Sequence, residues 1–287
     1  MPSIPIRQIK PTASEPKISQ TFRIRDIEVV LNGKEMAQEL HRHDFFFVLA
    51  LEKGKGKHVI DFVPFDVGNN CIFMMRPGQV HELFLKAGCS GYLLEFNAEF
   101  YHVNDRGTSH SLRSATKTNL CKVDKGSFGR LRTVLANIFE EYRDQKTGYD
   151  EVIRAQLDIF FIELIRNRQQ SSPPSTAETL YDQERLEEFL QLVETNASTK
   201  KQVADYEDML NMSNYQLSAL TKRVLGKTPS ELINDYIILE SKRQLLATSS
   251  QVNQIAWHLG FEDPSYFIRF FKKHTGFSPE AFRSKSK

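Results

Sequence analysis

Hydrophobic and polar positions divide the chain into three kinds of stretch. From Phe22 to about Asn97 the apolar residues fall in short runs broken by Gly, Asn and Pro. That pattern predicts strands at 22–26, 36–41, 45–52, 56–63, 71–75, 79–85 and 90–97 with no helix among them. So many short strands in so little chain predict a small closed barrel or jelly roll. After about Asp124 the period becomes helical. Phe128, Leu131, Leu135, Ile138, Phe139 and Tyr142 make one stripe, and Val152, Ile153, Leu157, Phe160, Phe161, Leu164 and Ile165 make a broader one between 150 and 168. A helix apolar on most sides has to be covered. The barrel can take one side, and either the same chain or a second copy in a twofold interface takes the other. Gln169 to Thr176 then holds two prolines and no apolar residue, which is linker chemistry. The expected division is an arm at 1–20, a sensing domain at 21–170, a linker at 171–180 and a helical domain at 181–287. The arm is Pro-rich and aperiodic and reads as a tail.

The helical domain carries an internal repeat. Val252, Ile255, Ala256 and Leu259 recur at helical spacing, and Gly260 ends that helix. Asp263 is an N-cap residue, and Pro264 suits a first helical turn. A second helix runs to about His274, with Phe267, Phe270 and Phe271 inward and Ser265, Ile268, Arg269, Lys272 and Lys273 outward. About fifty residues earlier Val203, Tyr206 and Leu210, then Ser213, Leu217, Leu220, Lys222, Gly226 and Pro229, repeat the scheme, with Glu262 the one insertion. Two helices joined by a tight turn, the second with a basic outer face, have the geometry that lays a recognition helix in a major groove. Between the copies, Pro229 to about Thr248 reads as one helix with Leu232, Ile233, Tyr236, Leu239 and Leu246 inward. Eighteen or so residues span roughly 27 Å, enough to set two units about one turn of DNA apart.

With these motifs, residues 181–285 resemble the AraC/XylS family of bacterial transcription factors, whose signature IAWHLGFEDPSYFIRFFKKHTGFSP matches almost throughout. The resemblance implies seven helices, with recognition helices at about 214–225 and 264–274. It implies base contacts from Tyr215, Ser218 and Ala219 in the first, with Asn214 and Gln216 beside them, and from Pro264, Ser265, Ile268 and Arg269 in the second. Arg269 has the fork that bridges guanine O6 and N7. Lys222, Arg223, Lys272 and Lys273 are the phosphate partners, which position without specifying. Two departures stand out: Ala219 where relatives carry a polar or basic groove residue, and Glu207 where the second copy has Ala256. The resemblance further implies a small-molecule effector, RNA polymerase as a partner, a homodimer and activation as the sign of regulation.

Composition narrows the rest. With 38 basic and 36 acidic residues the net charge is only +2, so the chain as a whole is no polycation. Three cysteines, Cys71, Cys89 and Cys121, lack metal spacing and an even count, and read as reduced, buried thiols. No apolar run reaches a membrane span and the N-terminus lacks a secretory core, so a cytoplasmic protein without membrane contact is expected.

Inside the strand region, His41-Arg42-His43 and, later, Pro77-Gly78-Gln79-Val80-His81 resemble the cupin pattern, which places imidazoles in a barrel mouth. The pattern also wants a glutamate four or five residues on, where this chain has Phe47 and Val48. Hydrogen-bonded pocket histidines are therefore expected, with no metal and no cofactor. His41, His43, His58, Arg76 and His81 are the effector-binding candidates. The fold class expected is α+β: a cupin-like β-barrel with two helices, followed by an all-α domain with two helix-turn-helix units. The function expected is an effector-controlled, sequence-specific DNA-binding regulator and not an enzyme. The rival is a cupin-type metalloenzyme with an accessory helical domain.

Overall fold

A computed structural model describes residues 6–9, 17–101, 106–170 and 177–285. The chain forms two compact units that divide between Pro173 and Pro174. The first contains, in order, β1 (Ile6–Arg7), a short 3-10 turn (Lys17–Gln20), β2 (Phe22–Asp26), α1 (Ile27–Leu31), β3 (Met36–His43), β4 (Phe46–Lys53), β5 (Gly56–Ile60), β6 (Val63–Val67), β7 (Cys71–Met75), β8 (Val80–Leu85), β9 (Ser90–Phe96), α2 (Arg106–Ala115), β10 (Leu120–Lys122), α3 (Lys125–Asp144) and α4 (Tyr149–Gln170). The second contains α5 (Ala177–Asn196), α6 (Val203–Leu210), α7 (Asn214–Leu225), α8 (Pro229–Ala247), α9 (Val252–His258), α10 (Pro264–Thr275) and α11 (Pro279–Lys285).

The strands build two five-stranded sheets, ordered β1-β3-β8-β5-β6 and β10-β7-β4-β9-β2. All pairings are antiparallel except β1 with β3. In β4, Phe47, Leu49 and Leu51 point between the sheets, while Val48 and Ala50 join the core under α3 and α4. β7 does the same, with Cys71, Phe73 and Met75 on one side and Ile72 and Met74 on the other. Both strands are buried on both faces, which is why they read as unbroken apolar runs.

Several expectations are corrected. The stretch 56–63 is not one strand: Asp61 and Phe62 take positive φ (47° and 70°) and turn the chain back, so β5 and β6 form a hairpin. A helix does lie in the strand region, because Asp26 accepts from the Glu28 and Val29 amides and Asn32 closes α1 in the left-handed region. The strand β10 was not foreseen, and the described part of the arm is ordered. There Ile6 pairs with Arg42 and Arg7 with His43, and the buried Ser19 hydroxyl lies 2.8 Å from the Tyr142 hydroxyl. The linker reading falls mostly outside the described residues, although α5 already begins at Ala177.

In the second unit the core gathers around α8, whose Ile233, Ile237, Ile238 and Leu245 are buried. Leu232 and Tyr236, expected inward, pack against that core half-buried, and Leu239 is half-buried too. Ser241 and Arg243 are buried beside the apolar residues, so α8 is enclosed on more sides than its pattern suggests. Its 19 residues are about 28 Å long.

Candidate DNA-reading and sensing sites

The two helix-turn-helix units are fixed by their caps. Ser213 and Gln216 form a capping box at the start of α7, and Asp263 accepts from the Ser265 and Tyr266 amides at 2.8 and 3.2 Å at the start of α10. Gly226 and Gly276 close these helices. The turn into α7 is made by Asn211 in the left-handed region, where the second unit uses Gly260. Phe267 and Phe271 are fully buried and Phe270 half-buried, which leaves Ser265, Ile268, Arg269, Lys272 and Lys273 exposed together on the outer face of α10, with Pro264 half-buried at its start. On α7, Asn214, Tyr215, Gln216, Ala219, Lys222 and Arg223 are exposed and Ser218 half-buried. Tyr215 is 82% exposed. A phenol ring that open, on a helix start, has no packing role.

Three of these side chains are already engaged. Gln216 accepts from the Ser213 amide, so only its amino group is turned outward. Asn214 donates to Glu207 at 2.7 Å, which is how the first unit uses the glutamate that replaces Ala256. Arg223 is tied to Asp182 of α5 at 2.6 Å. Arg269 keeps 69% of its side chain exposed and lies only 3.8 Å from Asp263. Tyr266, 54% exposed beside Ser265, was missed because an aromatic residue next to Phe267 reads as core.

In the first unit β3, β5 and β8 bring four histidines together between the sheets, all at most 4% exposed. His43 Nε2 lies 2.7 Å from His81 Nε2, His81 Nε2 lies 3.0 Å from His41 Nε2, and His58 Nε2 lies 2.8 Å from His81 Nδ1. His41 Nδ1 lies 2.7 Å from the Glu39 carbonyl oxygen. His43 stacks on Phe47 and His58 sits against Phe73, so rings fill the space around the cluster. Burial pushes the pKa of His41 down to about 4 and, helped by the neighbouring rings, those of His43 and His58 down to about 3. His81 is lowered by the same causes. All four are neutral at pH 7. Arg76, by contrast, is exposed, on the turn before β8.

Sequence reading also missed a cavity of about 520 Å³ lined by Ile18, Thr21, Glu99, Phe100, Tyr149, Asp150 and Arg154. Its wall comes from separate segments that no local pattern links. Arg154 donates to the Phe100 carbonyl at 3.0 Å and to Asp150 at 2.9 Å.

A double-sheet unit with four histidines buried in an apolar interior and a helical unit with two capped helix-turn-helix pairs define a DNA-binding transcription regulator with a ligand-binding domain. The AraC-like ligand binding domain matches residues 31–190, more than half of the chain, and a helix-turn-helix domain matches 206–285. The chain belongs to the AraC family. Among curated relatives, the HTH-type transcriptional activator RhaS of Yersinia pestis (strain Pestoides F) is 23% identical over 254 residues, covering 85% of this chain and 88% of the relative. Unsaturated fatty acid bound ToxT from Vibrio cholerae strain SCE256 aligns over 95% of this chain and 97% of its own, at 18% identity and a TM-score of 0.44. The C-terminal domain of the two-component response regulator yesN from Fusobacterium nucleatum aligns over 35% of this chain and 98% of its own, at 26% identity and a TM-score of 0.33. Among the described residues no helix is long and apolar enough to cross a membrane.

Proposed function

We propose that this regulator is a cytoplasmic, one-component activator that reads two adjacent major grooves with α7 and α10. The observation that carries the reading is the pair of capped helices with outward Tyr215 and Arg269. Arg269 supplies direct readout, with Ser265, Ile268 and Pro264 around it and Tyr215, Ser218, Ala219 and the free amino group of Gln216 as the first unit's surface. Lys222, Lys272 and Lys273 hold phosphates, and Arg223 serves α5 first. Relatives named as activators support the sign of regulation, which makes RNA polymerase a partner. The chain is read as no enzyme, since Phe47 and Val48, both buried, stand where a cupin carboxylate would.

The effector belongs in the cavity beside Arg154. Its volume of about 520 Å³ and its mixed polar and aromatic wall suit one small molecule. A homodimer is supported by what α4 leaves uncovered: Ile153, Leu157, Phe160, Phe161 and Leu164 are buried within the chain, while Val152, Ile159 and Ile162 are 40–46% exposed on one stripe with Ala155. The deciding experiment is selection of genomic DNA fragments by the full-length protein at two salt concentrations. Enrichment of a motif spanning two adjacent major grooves is expected; no enrichment at either salt overturns the reading.

A further inference from the structure

The histidine cluster makes a poor hydrogen-bonded core. The Glu39 carbonyl can only accept, so His41 carries its proton on Nδ1 and turns a bare lone pair on Nε2 toward His81. His43 Nε2 and His81 Nε2, 2.7 Å apart, can hold one hydrogen between them and no more. Three Nε2 atoms therefore converge with at most one proton among them. The Nδ1 atoms of His43 and His58 are buried without any hydrogen-bond partner. Leaving buried polar atoms unpaired costs more than an apolar residue of the same shape would, so as a core the four rings are a net burden.

One ligand removes the conflict among the three Nε2 atoms, while the Nδ1 atoms of His43 and His58 stay without a partner. We propose that His41, His43 and His81 bind a single divalent transition-metal ion through Nε2, zinc or a close chemical relative, with His58 as the positioning residue behind His81. The three nitrogens already lie within 4.8 Å of one another. A tetrahedral ion with bonds of about 2.0–2.1 Å sets its ligands roughly 3.3–3.4 Å apart, so the His81 nitrogen has to draw back from those of His43 and His41 by about 0.3–0.7 Å while the widest of the three separations closes. The protons then fall into place. His41 Nδ1–H donates to Glu39 O, and His81 Nδ1–H donates to His58 Nε2 at 2.8 Å. Both are the outer contacts that orient ligating imidazoles. Purely imidazole ligation suits zinc, copper, iron and nickel over magnesium or calcium, and three ligands leave a fourth position for water or an anion. The site is separate from the Arg154 cavity, and its readouts do not involve DNA.

The test is a cobalt titration of the chelator-stripped, full-length protein. One equivalent of Co²⁺ should develop the visible bands of a four- or five-coordinate ion, which Zn²⁺ then bleaches. H81N should abolish the bands with the far-ultraviolet dichroism unchanged. H58F should weaken cobalt affinity about 10–100-fold and H58Q, which restores an acceptor for His81, should recover it. X-ray absorption of the zinc-loaded protein should count three imidazoles, a readout that holds even if H81N misfolds. Co²⁺ that keeps its hexa-aqua spectrum with the unmodified protein, bands that survive H81N in a folded chain, or fewer than three imidazoles around zinc would each overturn the proposal.

Discussion

Gly260 meets the carbonyl of Ser198 so closely that a Cβ at Gly260 would stand 1.6 Å from that oxygen. The contact locks the turn before α10 onto the loop after α5, and Lys201 Nζ bridges the two by donating to the Ser198 and Gly260 carbonyls at 3.1 and 2.8 Å. G260A therefore meets both a positive φ of 71° and a backbone clash. G276A meets only a positive φ of 79°, with nothing within 4 Å. The second should cost about 1 kcal/mol and the first at least twice that. Urea unfolding followed by Trp257, the chain's single tryptophan, reads both. Equal midpoints would show that the Ser198 contact yields freely.

R269A should lose about 1–3 kcal/mol on the selected site while non-specific binding stays nearly intact. Equal losses on both DNAs would mean that Arg269 holds a phosphate only.

K272A should weaken binding to every sequence and flatten the salt dependence by about one unit of log–log slope. R223A should change that slope little, because its guanidinium is already paired with Asp182; a full unit lost there would show that the ion pair opens on DNA.

Acid should unfold the sheet unit early. The folded pKa values of His41, His43 and His58, about 4, 3 and 3, lie below the ordinary 6.5, so between those limits the unfolded chain binds more protons than the folded one. Stability is then full above about pH 6.5 and falls as pH drops, by roughly 1.4 kcal/mol per pH unit for each ring. Far-ultraviolet dichroism under urea at pH 7 and pH 5, with metal removed, checks it. Equal midpoints would place the rings' protonation outside this balance.

I159E should yield a monomer by light scattering at concentrations where the unmodified chain is a dimer, because a buried carboxylate on a twofold stripe is repeated in both copies. An unmodified chain that is itself a monomer at micromolar concentration would remove α4 as the interface.

Much of this was legible in the sequence for physical reasons. Helix caps are local, so Ser213, Asp263, Gly226 and Gly276 mark α7 and α10 without tertiary information. The spacing of His41, His43 and His81 likewise marked a shared interior. His58 stood only as a weak candidate, since its place is set by the β5–β8 pairing. The Asp61–Phe62 turn was hidden because Phe62 is a residue that rarely takes positive φ, and β1 because a two-residue strand has no period to detect. The Arg154 cavity was beyond reach altogether: Ile18, Phe100 and Arg154 share a wall through folding alone.

β4 turns neither face to water: Phe47 packs beside the His43 ring while its neighbour Val48 packs under α3 and α4. A pleated strand moves as one piece, so a ring displaced by the ligation proposed at His43 would push Phe47, and the push would reappear one residue on, beneath the helices. With close packing on both sides the motion has no soft layer in which to die out. The sheet between the histidines and the α3–α4 pair thus stands where a diaphragm would, one packed layer in contact with both.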